Sequence, residues 1–458
     1  MAIAITNPAT GEVVETFAPH DDAEVERRIA AAQSAFEVLK GTTFAQRAEW
    51  MRRVADLLEA DVELLARNIT IEMGRPIKQA RAEVLKCAKG ARFYAEHAEA
   101  FLAPEQLGDP SKVGASRAGT RWDPLGIVLA VMPWNYPLWQ VLRFAAPALM
   151  AGNVGLLKHA SNVPWSALYL DTLFERAGFP AGAFHTLLIP ASGVERVLRD
   201  PRVKAATLTG SEPAGRSLGS IAGSEVKHVV LELGGSDPFI VMPSADLEQA
   251  STVAVTARNQ NNGQSCIAAK RFIVHADVYD EFLRLFSQKV AALKVGDPLD
   301  ESVDVGPVAT KSGRDELVEQ IQDAVAKGAE VVVGGGVPDL PGWFIEPTVL
   351  TGITPQMRLF AEEAFGPVAS VYRVESREEA LALANGTTFG LSSAVWSADE
   401  AEQDWFIERL EAGGVFVNGM TISYPELPFG GIKDSGVGRE LAAAGIREFV
   451  NLKTVWRA

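Results

Sequence analysis

The spacing of apolar residues divides the chain into an N-terminal helical part and a later part that also contains strands. Apolar side chains recur at helical intervals at Val25, Ile29 and Ala32, just after aspartates that can cap a helix. The same interval continues over 45–102, so we predict helices through the first hundred residues. Residues 104–123 have no helical period, and we expect either a loop or an exposed hairpin there.

From residue 126 onward, short apolar runs alternate with amphipathic segments. Strands that alternate with helices indicate a parallel sheet with right-handed crossover connections, and such sheets bind ligands beyond the carboxyl ends of their strands. We therefore predict an α/β fold with a dinucleotide-type sheet. Its strands are expected at 126–134, 153–159, 184–189, 205–209 and 228–233.

A second α/β region begins near Gly235. It has apolar runs at 239–242 and 272–274, with helical patterns over 246–261 and 278–293. The C-terminal tail is again extended in character. We expect the two α/β regions to pack directly together, with the reaction between them.

Composition and charge argue against several classes of function. A net charge of −15 disfavours a nucleic-acid partner, because phosphate binding relies on Lys and Arg. The longest apolar stretch, 125–134, is too short to span a bilayer as a helix, and no secretory signal is visible, so we expect no membrane partner. With only two cysteines, the expected location is the reducing cytoplasm. No H-x-x-x-H or C-x-x-C spacing occurs, so we predict no metal site.

The two cysteines have different surroundings. Cys266 follows a predicted helix and the flexible Gly263, a setting in which a thiol could be partly exposed and ionisable, as a nucleophile must be. The alternative for Cys266 is a small buried apolar residue. Cys87 lies on an apolar helix face, and we assign it to the core.

Two polar residues stand at the ends of predicted strands. Glu232 lies at an apolar strand end, where loss of hydration would raise its pKa toward that of a general base; the alternative is a buried ion pair. Asn135 stands between Pro133 and Pro137 at the end of the first strand of the sheet. Its amide is a candidate oxyanion donor, and the alternative is a helix N-cap.

Three further segments suit a cofactor. Thr209-Gly210-Ser211 joins a strand to a helix, and a phosphate can approach a helix N-terminus there. The segment after the second strand offers the Lys158 cation and a hydroxyl, and the segment 362–367 offers a carboxylate for ribose hydroxyls. Taken singly, each is a weak signal, because charged side chains are more often simply solvated.

Taken together, in their order and spacing, these segments resemble the aldehyde dehydrogenase superfamily. The shared motifs are P-W-N, L-L-K, T-G-S, L-E-L-G-G, G-Q-S-C, E-E-A-F-G-P-V and P-F-G-G, and the resemblance runs from Asn7 to the C-terminus. It implies that Cys266 is the nucleophile and that Asn135 and the backbone N–H of Cys266 form an oxyanion hole. It also implies that Glu232 activates the water that hydrolyses a thioester. The expected partner is therefore a small-molecule aldehyde.

The same resemblance implies a cofactor site and a quaternary structure. The cofactor-binding residues are expected to be Trp134, Lys158, Ser161, Thr209, Gly210, Ser211, Glu363 and Phe365, with Phe365 near the nicotinamide. Bridging elements in the family pair between subunits, so we expect a homodimer or a dimer of dimers.

The resemblance further implies an aldehyde dehydrogenase-like α/β fold in three parts. They are a Rossmann-type cofactor-binding domain (1–105 and 124–234), a catalytic α/β domain (235–433) and a small bridging or oligomerisation element (106–123 and 434–458).

Several positions at which members of the family differ bear on the choice of substrate and on redox regulation. Among members that oxidise succinate semialdehyde, an arginine eight residues after the asparagine grips the substrate carboxylate, and Arg143 holds that place here, with Ser423 expected to assist. The alternatives for Arg143 are a salt bridge or a snorkelling side chain. Ala268 stands where some relatives have a second cysteine, so no disulfide switch is expected.

The expected reaction is oxidation of succinate semialdehyde or a similar short semialdehyde. Two other functions remain open, a broad-specificity aldehyde dehydrogenase and a non-catalytic protein that has kept the fold. The intact set of Cys266, Glu232 and Asn135 argues against the second of these.

A substitution at Ser161 tests the expected cofactor preference. NAD-preferring family members often have Glu at this place, three residues after the lysine, and a carboxylate there would repel a 2′-phosphate that serine can hydrogen-bond. We therefore expect NADP to be preferred, with NAD use possible. Ser161→Glu should shift the ratio of kcat/KM for NADP over NAD toward NAD. An unchanged ratio would show that Ser161 has no part in the preference.

Overall fold

The computed structural model describes residues 2–458, and both α/β regions are present in it. The strands are β1 (Ile3–Thr6), β2 (Val13–Phe17), β3 (Glu105–Gln106), β4 (Arg117–Pro124), β5 (Ile127–Met132), β6 (Val154–His159), β7 (Phe184–Thr186), β8 (Val203–Thr209), β9 (His228–Glu232), β10 (Asp237–Val241), β11 (Ala269–His275), β12 (Glu330–Val333), β13 (Thr348–Thr351), β14 (Val368–Val374), β15 (Phe389–Gly390), β16 (Ser393–Trp396), β17 (Val415–Val417), β18 (Ile432–Lys433), β19 (Gly436–Val437) and β20 (Val450–Arg457).

The helices are α1 (Asp22–Leu39), α2 (Phe44–Ala60), α3 (Val62–Met73), α4 (Ile77–Phe101), α5 (Trp139–Ala151), α6 (Pro164–Arg176), α7 (Val194–Arg199), α8 (Glu212–Ser224), α9 (Leu247–Asn259), α10 (Ala276–Ala291), α11 (Lys311–Ala326), α12 (Arg358–Ala361), α13 (Arg377–Asn385), α14 (Glu400–Ile407) and α15 (Ala442–Arg447). Short 3₁₀ turns occur at Pro110–Val113, Ala191–Gly193 and Gln260–Gly263. No helix among residues 2–458 is long and apolar enough to cross a membrane.

The predicted dinucleotide-type sheet is confirmed. It has six strands in the order β19-β9-β8-β5-β6-β7, and β5 to β9 run parallel. Strand β5 is buried along nearly its whole length, as expected for a strand covered on both faces by helices. The chain proceeds from β5 to β6 and β7 on one side, then crosses to β8 and β9 on the other. The strand ends beside β5 are therefore the topological switch point, where ligands bind in such folds.

The second sheet has seven strands in the order β12-β13-β14-β11-β10-β16-β17. Its pairs are parallel except for β12 with β13. One of its faces is covered by an apolar cluster that includes Phe239, Phe272 and Trp396. This sheet positions the segment that follows α9, which carries Cys266.

A third, three-stranded sheet lies outside the two cores. Residues left open in the sequence as a loop or hairpin form β3 and β4, and β20 pairs antiparallel with β4 along eight residues. Its outer positions are exposed; Leu452 and Trp456 are each 52% accessible. Residues 436–437, which the sequence analysis places in the bridging element, pair instead with β9 at the edge of the six-stranded sheet.

The prediction of helices through the first hundred residues is wrong at the N-terminus. Strands β1 and β2 form a hairpin there, and the helices begin only with α1, which Asp21 caps through the N–H of Glu24. The two strands have four and five residues: β1 alternates buried and half-buried positions over too short a stretch to predict a strand, and β2 is mostly exposed.

A buried ion pair ties the N-terminal helices to the six-stranded sheet. Arg75 and Glu83 pair with each side chain 1% exposed. The other oxygen of Glu83 accepts the N–H groups of Leu138 and Trp139, both at 2.9 Å, where α5 begins. Arg75 donates to the carbonyl of Asn135. The loop between β5 and α5 is therefore held by Glu83 of α4 and by Arg75, which lies just before α4.

Removing one partner of this pair should destabilise the protein strongly. Glu83→Ala would leave a buried guanidinium without a counter-charge, and the expected loss in free energy of unfolding is about 3–5 kcal/mol. The measurement is the shift of the chemical denaturation curve. Glu49→Ala is the matched control, because the pair of Glu49 with Arg53 is exposed and its loss should change stability by only about 0.5 kcal/mol. Equal shifts for the two variants would contradict this account.

Candidate active site

The predicted site residues of the first sheet lie at one edge. Asn135 follows β5, Lys158 lies at the end of β6, Ser211 follows β8, and Glu232 ends β9. Because these strands are parallel neighbours, their carboxyl ends meet at the same side of the sheet. The segment around Cys266 and the segment 362–367 face this edge from the second domain.

The Cys266 loop (260–266) is held in an unusual backbone conformation. Asn261, Asn262 and Gly263 all have positive φ, at 57°, 56° and 72°. A Cβ atom on Gly263 would overlap the backbone carbonyl of Gly366, so only glycine fits where the two segments touch. The loop that carries the thiol is therefore packed directly against the segment 362–367.

The side chain of Asn261 ties this loop to the loop after β5. Its Nδ2 donates to the carbonyls of Asn135 at 2.8 Å and of Gln264 at 3.0 Å, and its Oδ1 accepts from Arg75 at 2.6 Å. The Asn135 amide donates to the same Gln264 carbonyl at 3.1 Å. We did not predict this role for Asn261; the only signal in the sequence is the turn-forming run Asn261-Asn262-Gly263.

The Cys266 side chain is partly exposed, as predicted, but its surroundings disfavour ionisation of the thiol. It is half-buried, and burial raises its pKa to about 12, although the positive charges of Arg143 and Lys270 act in the opposite direction. The sequence predicts a partly exposed and ionisable thiol, whereas burial here favours the neutral form. Attack by this sulfur on a substrate therefore requires removal of the thiol proton.

The carboxyl group of Glu232 is buried without an ion pair. It is 2% exposed, and neither oxygen has a hydrogen-bond partner among residues 2–458. Burial, and next the charge of Glu440, raise its pKa well above the usual range. A Cβ atom on Gly430 would lie 2.7 Å from Oε1 of Glu232, so a glycine leaves room for the carboxylate. The alternative of a buried ion pair at Glu232 is not found in this structure.

Arg143 is also buried, and it is paired. Its Nε lies against a carboxylate oxygen of Glu440, its guanidinium is 4.7 Å from the ring centre of Phe429, and Nη2 is 3.4 Å from the Thr209 hydroxyl. The salt bridge considered for Arg143 is therefore present. The Thr209 hydroxyl therefore faces Arg143.

The residues expected around a nicotinamide come together from both domains. The rings of Trp134 and Phe365 meet edge to face with centres 5.7 Å apart. The carboxylate of Glu363 lies 3.1 Å from the ammonium of Lys270, and the missing side chain of Gly234 leaves room for it. Aromatic and carboxylate groups from the two α/β regions thus lie close together.

Lys270 was missed in the sequence analysis. Its buried ammonium donates to the carbonyls of Ser265 at 2.9 Å, Cys266 at 2.8 Å and Ala268 at 3.2 Å. Together with its contact to Glu363, this links the Cys266 loop to the segment 362–367. No spacing rule predicts such a residue, because its acceptors are backbone atoms of its own loop.

The edge of the first sheet fits a dinucleotide. Burial lowers the pKa of the Lys158 ammonium, and no acidic side chain among residues 2–458 offsets that shift. Ser211 is the N-cap of α8, and its hydroxyl makes no capping bond, so it and the first N–H groups of the helix can receive a phosphate. Ser161 stands in the turn after β6 with its side chain half-buried and its carbonyl bonded to the N–H of Ala4.

A cavity of about 490 Å³ contains the Cys266 thiol in its wall, and none of the residues expected to bind the cofactor line it. Cys266, Arg143 and Ser423 all line it, together with aromatic rings that include Trp139 and Phe429. The Ser423 hydroxyl accepts the indole N–H of Trp139 at 2.9 Å. Among residues 2–458, no cluster of three or more His, Cys, Asp or Glu side chains could hold a metal ion.

Comparison with known proteins identifies the family. Residues 1–455 match the sequence profile of the aldehyde dehydrogenase family. The chain belongs to this family. Its whole length is 64% identical to succinate-semialdehyde dehydrogenase (NADP+) of Mycobacterium avium, of which it covers 97%, and 62% identical to succinate-semialdehyde dehydrogenase (NADP+) 1 of Mycobacterium tuberculosis, which it covers completely.

A solved structure supports the same assignment. The crystal structure of succinic semialdehyde dehydrogenase from Streptococcus pyogenes in complex with NADP+ superimposes with a TM-score of 0.96, at 36% sequence identity and with 99% of each chain covered. The resemblance drawn from motifs is therefore confirmed at the level of family and fold.

Substitution of Asn261 tests the link between the two loops of this aldehyde dehydrogenase. Asn261→Gly removes the bridging amide while glycine still accepts the positive φ. A small misplacement of the Asn135 amide relative to the thiol should lower kcat/KM by about 10- to 100-fold. Asn259→Ala is the control, because its amide bonds only to the carbonyl of Val255 within α9. Normal kcat/KM with a lowered melting temperature would limit Asn261 to a role in folding.

Proposed function

We propose that the protein oxidises succinate semialdehyde to succinate, with NADP as the preferred hydride acceptor and NAD as a possible one. The observation that carries the proposal is a single cavity with the Cys266 thiol and basic side chains in its wall. Relatives that are 64% and 62% identical over the full length bear the name succinate-semialdehyde dehydrogenase (NADP+). We propose that Arg143 and Ser423 face the carboxylate end of the substrate.

The first step joins the thiol to the aldehyde. The Cys266 thiol gives up its proton to a water molecule, its sulfur attacks the carbonyl carbon, and the electrons of the carbonyl bond move to the carbonyl oxygen. The side-chain amide of Asn135 has two hydrogens, of which one is held by the Gln264 carbonyl and the other is available. That hydrogen and the backbone N–H of Cys266 stabilise the negative oxygen of the thiohemiacetal.

Residues on the edge of the first sheet bind the cofactor. Lys158 and Glu363 hold its ribose hydroxyls, Ser211 with Gly210 receives the pyrophosphate, and Ser161 donates to a 2′-phosphate. When bound, the cofactor would supply the nicotinamide ring that accepts a hydride from the substrate carbon. The Trp134 and Phe365 rings, which contact each other edge to face, would hold the nicotinamide ring and exclude water from it.

The second step releases the acid. A water oxygen attacks the thioester carbon while its proton passes to the carboxylate of Glu232, and the C–S bond then breaks. The buried position of Glu232 raises its pKa and so makes its carboxylate a stronger base than one in water. The leaving sulfur takes up the proton held by Glu232, which restores both the thiol and the carboxylate.

We also propose a homodimer or a dimer of dimers in the cytoplasm. The three-stranded sheet exposes apolar side chains such as Trp456, and β17 has an unpaired edge in the seven-stranded sheet. Two free cysteines agree with a reducing compartment. We further propose a cofactor domain built on the six-stranded sheet, a catalytic domain built on the seven-stranded sheet, and a bridging element that contains the three-stranded sheet.

A substrate panel with both cofactors tests the proposed reaction. Succinate semialdehyde should have the highest kcat/KM, above that of butanal, which has the same chain length and no carboxylate. Similar values for all short aldehydes would favour a broad-specificity aldehyde dehydrogenase. Absence of cofactor reduction with every aldehyde would favour a non-catalytic protein.

Substitution of Glu232 separates the two chemical steps. In Glu232→Gln the thioester should form and then persist, because no carboxylate remains to take the proton of water. We expect a rapid burst of reduced cofactor, at most one per active site, followed by turnover slowed by about 100-fold or more. Stopped-flow absorbance measures both phases, and Cys266→Ala should show no burst. An unchanged steady-state rate in Glu232→Gln would assign the base to another residue.

A further inference from the structure

Four basic side chains line the cavity that contains Cys266, and three of them are neutralised by a carboxylate. The fourth, Lys86 on α4, forms no ion pair with an acid among residues 2–458. The three pairs are Arg75 with Glu83, Lys89 with Glu426 and Arg143 with Glu440.

The partners of Lys86 are neutral. Its ammonium donates to the Ser423 hydroxyl oxygen at 2.8 Å and lies 4.5 Å from the ring centre of Trp139. The indole N–H of Trp139 donates to the same hydroxyl oxygen at 2.9 Å. Trp139 is held against α4 because Gly90 has no side chain; a Cβ atom there would lie 2.8 Å from the indole ring.

This arrangement leaves hydrogens for a ligand. A serine oxygen has two lone pairs, and here Lys86 and Trp139 occupy both. The Ser423 hydroxyl hydrogen must then point to another acceptor, and two of the three ammonium hydrogens of Lys86 remain for other acceptors. A cation and a hydroxyl that both lack an acceptor, side by side in a cavity wall, match the two oxygens of a carboxylate.

We propose that Lys86, together with the hydroxyl of Ser423, binds the substrate carboxylate and is a specificity-determining residue of this enzyme. The proposal rests on the proposed oxidation of succinate semialdehyde. A half-buried ammonium without a counter-charge is costly, and the carboxylate of the substrate supplies that charge. Arg143 is already neutralised by Glu440, so the uncompensated positive charge of the cavity lies at Lys86.

The surroundings of Lys86 also predict a pH dependence. Burial lowers its pKa to about 8, repulsion from Arg143, Arg75 and Lys89 acts in the same direction, and Cys87 opposes it. As pH rises through this value the ammonium loses its charge, while the substrate carboxylate stays ionised. KM for succinate semialdehyde should therefore rise above pH 8 relative to KM for butanal. Titration of Cys266 affects both substrates and cancels in the comparison.

The test compares substrates with and without a carboxylate in matched variants. Lys86→Met keeps the bulk of the side chain and removes its charge. We expect the ratio of kcat/KM for succinate semialdehyde over butanal to fall by about 10- to 100-fold, mainly through KM. Lys89→Met, on the same helix but exposed and paired, should keep the ratio within about twofold of the original.

Lys86→Arg provides the second comparison. A guanidinium stays charged at every accessible pH, so this variant should keep much of the preference for the semialdehyde and lose the rise in KM above pH 8. A merely structural role for Lys86 would not move the pH profile in this way.

The outcomes separate this proposal from the proposed function. If the original enzyme oxidises succinate semialdehyde efficiently and Lys86→Met changes both substrates equally, the assignment of Lys86 is wrong. If the original enzyme fails with the semialdehyde but oxidises butanal, the proposed function fails. Inhibition of butanal oxidation by succinate then tests Lys86 independently: loss of that inhibition in Lys86→Met supports the carboxylate site, and unchanged inhibition overturns it.

Discussion

The hydrogen bonds of Asn261 connect the two loops on which the chemistry depends. Asn135, the proposed oxyanion donor, follows a strand of the six-stranded sheet, whereas Cys266 lies in the loop that precedes β11 of the seven-stranded sheet. One amide, fixed in turn by Arg75, bonds to backbone carbonyls of both loops. Reacting groups from separate domains keep their alignment only if such a contact is rigid, and the buried pair of Arg75 with Glu83 supplies that rigidity.

Burial gives the site its acid and base properties. Glu232 and Cys266 both sit where water is scarce, and in both cases desolvation raises the pKa. For Glu232 this makes a better base; for Cys266 it favours the neutral thiol until a substrate and cofactor arrive. The pair of Arg143 with Glu440 lies beside them: the charge of Glu440 adds to the rise in the Glu232 pKa, whereas Arg143 opposes the rise in both pKa values.

The proposed cofactor site and the substrate cavity on either side of Cys266 differ in how their positive charges are arranged. On the cofactor side, the unpaired Lys158 and the N-terminus of α8 suit phosphates and ribose hydroxyls. On the substrate side, pairing with acids cancels three of the four cations, so the remaining ammonium of Lys86 gives the cavity wall its local charge. Discrimination between a semialdehyde and an uncharged aldehyde then follows from one contact, because an aldehyde without a carboxylate leaves that ammonium without a counter-charge.

The sequence by itself determined the alternation of strands and helices and the family, and it supplied the candidate reacting groups, because these depend on residue types and spacing along the chain. Asn135, Glu232 and Cys266 were recognised in this way. Only the tertiary structure decided which charges cancel: that Arg143 is paired and Lys86 is not. Such pairing depends on distances between residues far apart in sequence, which no local pattern encodes. The N-terminal hairpin was missed for a related reason, since its short strands are defined by pairing with each other.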